Sequence, residues 1–244
     1  MSGSCFADIL DEIVDLTLGE RAALEKLEER QRHVRRAAVL QREREAGGEL
    51  FVLRRGVMMS YVLLDDGSRQ IHRFHFPGDM LGLSSTVYRD TPETLCALSE
   101  CVVSPFDRAA LSDLIVAHPR LAALILVYCQ IERVALTDRL AALGRTSAKA
   151  RVAALLLELR NRMRATDKKL TNVFALGLTQ EEIGDATGLT SVHVNRMLRQ
   201  LEEERLIARD AGRVTLLDEP ALVRAANYVN RYEGLELGWL PKPN

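Results

Sequence analysis

Ser191, Val192, Asn195, Arg196 and Arg199 recur at spacings that place them together on one side of a helix, opposite Val194, Met197, Leu198 and Leu201. The chemistry these five offer is recognition, not bond-making. An arginine in this setting can pair with guanine O6 and N7 through two parallel hydrogen bonds, worth about 1–3 kcal/mol of discrimination. Asn195 suits an adenine edge, or a phosphate if it points sideways. Val192 offers only apolar contact, such as to a thymine methyl. Reactive constellations are missing from the chain. It holds no nucleophile elbow, phosphate loop, zinc-protease motif or dinucleotide fingerprint. None of its five histidines sits at a catalytic spacing from an acid or a thiol. No catalytic residue is assigned and the chain is not expected to be an enzyme. Its four cysteines (Cys5, Cys96, Cys101, Cys129) fit no zinc spacing, so no metal ligand is assigned either.

Residues 179–201, TQEEIGDATGLTSVHVNRMLRQL, supply what would position that face. Thr179 and Glu182 have the spacing of a capping box. Ile183 faces inward, Gly184 permits close helix approach, and Gly188 fits a turn that would strain a side chain. Leu189 anchors the turn and Thr190 caps a second helix over residues 190–203. The stretch therefore reads as a helix-turn-helix whose second helix would lie in a DNA major groove. Residues 206–208 and 213–216 flank Asp210-Ala211-Gly212 and read as a two-stranded wing carrying Arg213 to the phosphate backbone. Two amphipathic core helices around a glycine turn would be the blander alternative. Agreement of caps, glycines, inward positions and wing in one register favours the first reading.

Upstream, apolar residues from Phe6 to Val14, and again over residues 18–27, predict two helices. Residues 35–106 alternate short runs of β-formers (50–53, 58–64, 71–76, 101–105) with glycine turns at Gly48, Gly56, Gly67 and Gly78. Asp65-Asp66-Gly67 predicts a hairpin, and the regular spacing predicts an all-β roll. The charge run 28–36 reads as a solvated helix end leading into the first strand. Helix resumes near Asp107, and a long helix follows His118-Pro119. Its apolar seam passes through Leu121, Leu124, Ile125, Tyr128, Ile131, Ala135 and Leu136 and runs to Leu143. Of these, Leu121, Leu124, Tyr128, Ile131 and Ala135 are the expected dimer contacts. Gly144 is expected to break or bend this helix, and residues 148–164 form another. Domain divisions fall at 1–118, 119–144 and 145–244.

Residues 145–213 hold 13 Lys/Arg against 9 Asp/Glu, and the remainder 20 against 25, within a net charge of −1. A basic C-terminal segment on an acidic body suits a DNA-binding domain joined to a sensor. The N-terminus carries acids where a secretory or transit signal carries basic residues, and no apolar stretch reaches a membrane span. A cytoplasmic chain with reduced thiols and no membrane partner is the expectation.

The Phe76-Pro77-Gly78-Asp79 turn, the long helix and LTSVHVNR at 189–196 resemble the CRP/FNR superfamily of bacterial transcription regulators, in a form common in α-proteobacteria. The resemblance covers nearly the whole chain and implies an α+β fold. Its parts would be an N-terminal cyclic-nucleotide-binding-like β-roll, a long dimerisation helix and a C-terminal winged helix-turn-helix. It implies a homodimer on a roughly palindromic operator in double-stranded DNA, with RNA polymerase as a further partner if the protein activates. The family's base-contacting positions fall on Ser191, Val192 and Arg196, and its backbone-contacting positions on Thr179, Thr190 and His193. Well-known members carry a cytosine-reading Glu where this chain has Val192, so a different half-site is expected.

No cofactor is identified. Members that bind cyclic AMP use a Glu for the ribose and an Arg beside a small polar residue for the phosphate. Those positions fall near Leu83 and Pro92-Glu93, and an acid opposes a phosphate. Arg89 is the nearby arginine. Cys5 is the lone N-terminal cysteine, which argues against an iron–sulfur cluster. His72 and His75 fall on opposite strand faces, which argues against haem. Cys96 and Cys101 read as small buried residues. The competing function is a ligand-sensing or protein-interaction module without sequence-specific DNA binding.

Overall fold

Ser4 starts the first helix, α1 (Cys5–Asp11), by accepting the Ala7 N–H at 2.9 Å. A full capping box between Thr17 and Glu20 starts α2 (Leu18–Leu27). The computed structural model describes residues 3–243, which fall into two units. One comprises Met1–Val62, Arg73–Arg133 and Tyr232–Asn244, and the other Leu63–His72 and Val134–Arg231. The fold is α+β.

The first unit is a β-roll with helices packed against it. Its strands are β1 (Arg32–Val34), β2 (Val39–Gln41), β3 (Glu49–Arg55), β4 (Met58–Leu63), β5 (Arg69–His75), β6 (Met80–Leu81), β7 (Thr94–Ala97) and β8 (Cys101–Asp107). They form two four-stranded sheets, ordered β1-β8-β3-β6 and β2-β7-β4-β5. The apolar run at the centre of β3 is explained by burial on both faces. Phe51 and Leu53 point into the roll with Met58, Leu81, Leu95 and Val103. Leu50 and Val52 point the other way, onto Phe6, Leu24, Phe106 and Tyr128. Each such side chain contributes roughly 1.5–3 kcal/mol by leaving water.

Asp107 caps α3 (Arg108–Ala117), and α4 runs from Pro119 to Arg145. α4 stops at Arg145, one residue past Gly144, as expected of a break at that glycine, and the Thr146 N–H makes a last bond to the Ala142 carbonyl at 3.0 Å. The charge run 28–36 is largely solvated, with Glu29, Arg30, Gln31, His33, Arg35 and Arg36 exposed, and it leads into β1 as expected, but Glu28 is an exception. Glu28 is 1% exposed and accepts the Ser4 hydroxyl and the Cys5 and Phe6 N–H groups. Arg54 pairs with it at 2.9 Å. Burial nevertheless pushes the Glu28 carboxyl above its ordinary range. Residues 32–34 of the same run are β1.

The second unit contains α5 (Ala148–Thr166), β9 (Val173–Ala175), α6 (Gln180–Thr187), α7 (Ser191–Glu203), β10 (Ile207–Asp210), β11 (Arg213–Leu216) and α8 (Glu219–Ala226). The buried side of α5, including Val152, Leu155, Leu156 and Leu159, meets α6, α7 and α8. The β4–β5 hairpin tip also belongs to this unit. There, Arg69 Nε donates to Asp185 Oδ2 at 2.7 Å, and Gln70 Nε2 to the Asp185 carbonyl at 2.8 Å. Residues 119 and 145 bound α4 close to the expected divisions, but the two units divide within it, after Arg133. The tail Tyr232–Asn244, expected with the winged helix, groups with the first unit.

Candidate DNA-binding interface

The capping box at α6 is closed in both directions. The Thr179 hydroxyl accepts the Glu182 N–H at 3.1 Å, and the Glu182 carboxylate accepts the Thr179 N–H at 2.7 Å. Gly188 ends the helix in the left-handed region, at φ 66°. At Gly184 a Cβ would lie 2.4 Å from the Leu189 carbonyl oxygen, so the chain entering α7 crosses α6 almost at backbone contact. Thr190 then caps α7 by accepting the His193 N–H at 3.3 Å.

Val194, Met197, Leu198 and Leu201 bury the inner face of α7. Ser191, Val192, Arg196 and Arg199 are exposed on the other side, with Asn195 and His193 half-buried. Val192 is 80% exposed, an apolar side chain presented to the outside at the second position of the helix. Arg196 Nη2 lies 2.8 Å from His193 Nε2. The three acids ending α7 would repel phosphate if they stood alone. Two are paired: Glu202 with Arg209 at 2.6 Å and Glu204 with Lys149 at 2.6 Å. The hydrogen bond from Arg209 holds the Glu202 carboxyl below the usual carboxylate range, and the one from Lys149 does the same for Glu204. Lys149 lies 55 residues from its acid along the chain, and Arg209 reaches Glu202 only because β10 folds back beside α7.

In the wing, Asp210 pairs with Arg213 across Ala211 and Gly212. Both turn residues have positive φ, 45° and 77°, as a two-residue hairpin of this hand requires. Arg213 is exposed beside the turn. A third strand, β9, pairs with β11. Its three residues were too short a signal to read as a strand.

On α4, four of the five expected dimer contacts turn inward. Leu121, Leu124, Tyr128 and Ile131 are buried by their own protomer, and Ala135 is half-buried. The open stripe carries Leu126, Leu136 and Leu140, 52%, 44% and 71% exposed. Cys129 and Arg133 fall between them and Leu143 follows, in a repeat of three and four residues. Tyr128 instead donates to Asp79 of the Gly78-Asp79 turn at 3.3 Å and meets the Phe6 ring edge-on at 5.5 Å.

All four cysteines are free thiols, and Cys96 and Cys101 are buried. Burial raises the thiols of Cys5, Cys101 and Cys129 above their ordinary pKa. His75 is buried and His72 half-buried on β5. Among the described residues, no group of three or more His, Cys, Asp or Glu could hold a metal ion, and no single helix is long and apolar enough to cross a membrane.

Residues 31–118 match the cyclic nucleotide-binding domain family, and residues 150–225 match the Crp-like helix-turn-helix domain family. The chain is 36% identical over 171 residues to the nitrogen fixation regulation protein FixK of Bradyrhizobium diazoefficiens, covering 70% of each. It is 28% identical over 208 residues to the transcriptional activator protein Anr of Pseudomonas protegens, covering 84% of each. The solved structure of FixK2 from Bradyrhizobium japonicum superposes with a TM-score of 0.71 at 28% identity, covering 80% of this chain and 96% of that one. With its β-roll, long helix and winged helix-turn-helix, the chain is a DNA-binding transcription regulator and belongs to the CRP/FNR superfamily.

Proposed function

We propose that the protein acts as a homodimer on a roughly palindromic operator, with α7 of each protomer in a major groove. The observation that carries this is the outer face of α7, where Ser191, Val192 and Arg196 stand exposed on a fully capped helix. In this reading Arg196 takes a guanine, and Val192 packs on a thymine methyl or another apolar edge. Thr179, Thr190, His193 and Arg213 meet phosphates, with Asn195 and Arg199 beside them. The exposed stripe Leu126-Leu136-Leu140 supplies the dimer seam, and RNA polymerase is the further partner if the bound dimer activates. Such a protein works where genomic DNA lies, in the cytoplasm, and carries out no catalysis.

The cyclic-nucleotide fold does not bring a nucleotide with it. Leu83 offers no acceptor to a ribose, and Glu93 sets a carboxylate where a phosphate would need a cation. Leu95, unexposed, packs with Phe51, Leu53, Met58, Leu81 and Val103 inside the roll, and Phe74 is 1% exposed. Iron–sulfur and haem cofactors find no matching ligand set in Cys5, His72 and His75. Millimolar cyclic AMP or cyclic GMP is expected to leave both the melting temperature and the operator affinity unchanged. A ligand at 100 times its Kd would add about 2.7 kcal/mol and be plainly visible by calorimetry.

Selection from a pool of randomised duplexes, followed by gel shift, tests the main proposal. A two-fold symmetric site should emerge. Arg196→Ala should then lose about 1–3 kcal/mol at one base pair of each half-site. Arg213→Ala should weaken all sequences alike and lower the salt slope of the dimer by about 2, one for each protomer. No sequence preference at moderate salt would favour the protein-interaction module and sink the operator reading.

A further inference from the structure

We infer that His193 is a specificity-determining positioning residue, which holds the Arg196 guanidinium ready for its base. This rests on Arg196 reading a base, and it gives His193 a task beyond the phosphate contact expected at its position.

The two side chains are three residues apart on α7 and therefore neighbours on its surface. Arg196 Nη2 and His193 Nε2 are 2.8 Å apart. Arginine has only donors, so the guanidinium donates and Nε2 accepts. An imidazole that accepts at Nε2 has Nδ1 as its donor nitrogen. The ring then keeps one donor for a phosphate oxygen while the other nitrogen steadies the arginine. His193 is itself fixed at its backbone, because its N–H is the group that caps onto Thr190. A chain of three hydrogen-bonding residues thus runs from the helix cap to the base-reading group, all within one helix.

The physical gain is preorganisation. A free arginine samples many rotamers, and immobilising such a side chain on binding costs about 0.5–1.5 kcal/mol. Two parallel bonds to guanine need the plane of the guanidinium in one orientation. A tether formed before DNA arrives removes part of that cost for the matched base pair. Random DNA gains nothing from it, since phosphates accept hydrogen bonds from many directions. His193 should therefore act on selectivity more than on affinity. Gln200 and Glu204 hydrogen-bond to each other at 3.1 Å nearer the end of α7, so these two long polar side chains are engaged elsewhere.

The test uses the full-length protein and the duplex recovered from a randomised pool. Affinity is measured for that duplex, for variants at each half-site position, and for random DNA. His193→Ala should lower discrimination about 3- to 10-fold at the base pair that Arg196→Ala also relaxes, and at no other. His193→Gln, whose amide oxygen can accept from arginine, should restore most of it. In the double variant the histidine change should add no further loss of selectivity. Equal losses on matched and random DNA, with a flatter salt dependence, would make His193 a phosphate contact only and overturn the proposal. An unchanged selectivity profile would overturn it as well. If Arg196→Ala itself relaxes no base pair, the base-reading assignment fails first, and the arginine control shows which of the two ideas has fallen.

Discussion

Glutamate at both Leu136 and Leu140 is expected to give a folded monomer whose affinity for a two-half-site duplex falls at least about 100-fold. The two leucines are 44% and 71% exposed, so neither is part of the protomer's own core and the change should leave the melting curve cooperative. They lie four residues apart, in step with Leu126, so each would meet its symmetry mate at every turn of a paired helix. Four carboxylates forced into that seam would be desolvated close to one another. The DNA consequence follows from tethering: once one half-site is bound, the second recognition helix is held at high effective concentration, and separation removes that advantage. Sedimentation would read the monomer, and gel shift on full and single half-sites would read the affinity. Binding to an isolated half-site should barely change. A variant that stays dimeric would move the seam elsewhere, and a monomer with undiminished affinity would remove the need for a dimer.

The phase of that seam is where the sequence was ambiguous. The helix carries apolar residues on more than one side: Leu121, Leu124, Tyr128 and Ile131 are buried, and Leu126, Leu136 and Leu140 are exposed. Periodicity identifies a helix but cannot say which of two apolar stripes meets a partner and which meets the chain's own core. The winged helix was legible for the opposite reason. Its determinants are local: a capping box, a left-handed Gly188 and a two-residue turn at Ala211-Gly212, each written within a few neighbouring residues. Strands β2, β6, β7 and β9 are two to four residues long and become strands only through long-range pairing, as Val39 does with Cys96. Glu28 shows the same limit. Nothing near it foretells burial, because its neutralising partner Arg54 and the N–H groups of Cys5 and Phe6 arrive from both directions along the chain.

Gly184 should prove the least replaceable residue of the interface, although it touches no DNA in the proposed arrangement. A methyl group there would sit 2.4 Å from the Leu189 carbonyl oxygen, a backbone atom that cannot swing aside as a side chain could. Leu189 cannot retreat easily, because its own N–H bonds to the Gly184 carbonyl at 3.0 Å. Alanine must therefore push the turn and α7 away from α6. The cost is about 1–3 kcal/mol, typical of overpacking, or a fall of roughly 4–13 °C in melting temperature for a unit of about 100 residues. Valine adds two branches at the same point and should exceed that range, approaching the whole stability of a marginal domain. Displacement of α7 carries Ser191, Val192 and Arg196 with it, so operator affinity should fall more steeply than stability, and does so already for alanine. Thermal unfolding and gel shift on Gly184→Ala and Gly184→Val give the graded series. If valine melts and binds like the parent, the close crossing of α6 by the entry to α7 does not hold the recognition helix in place.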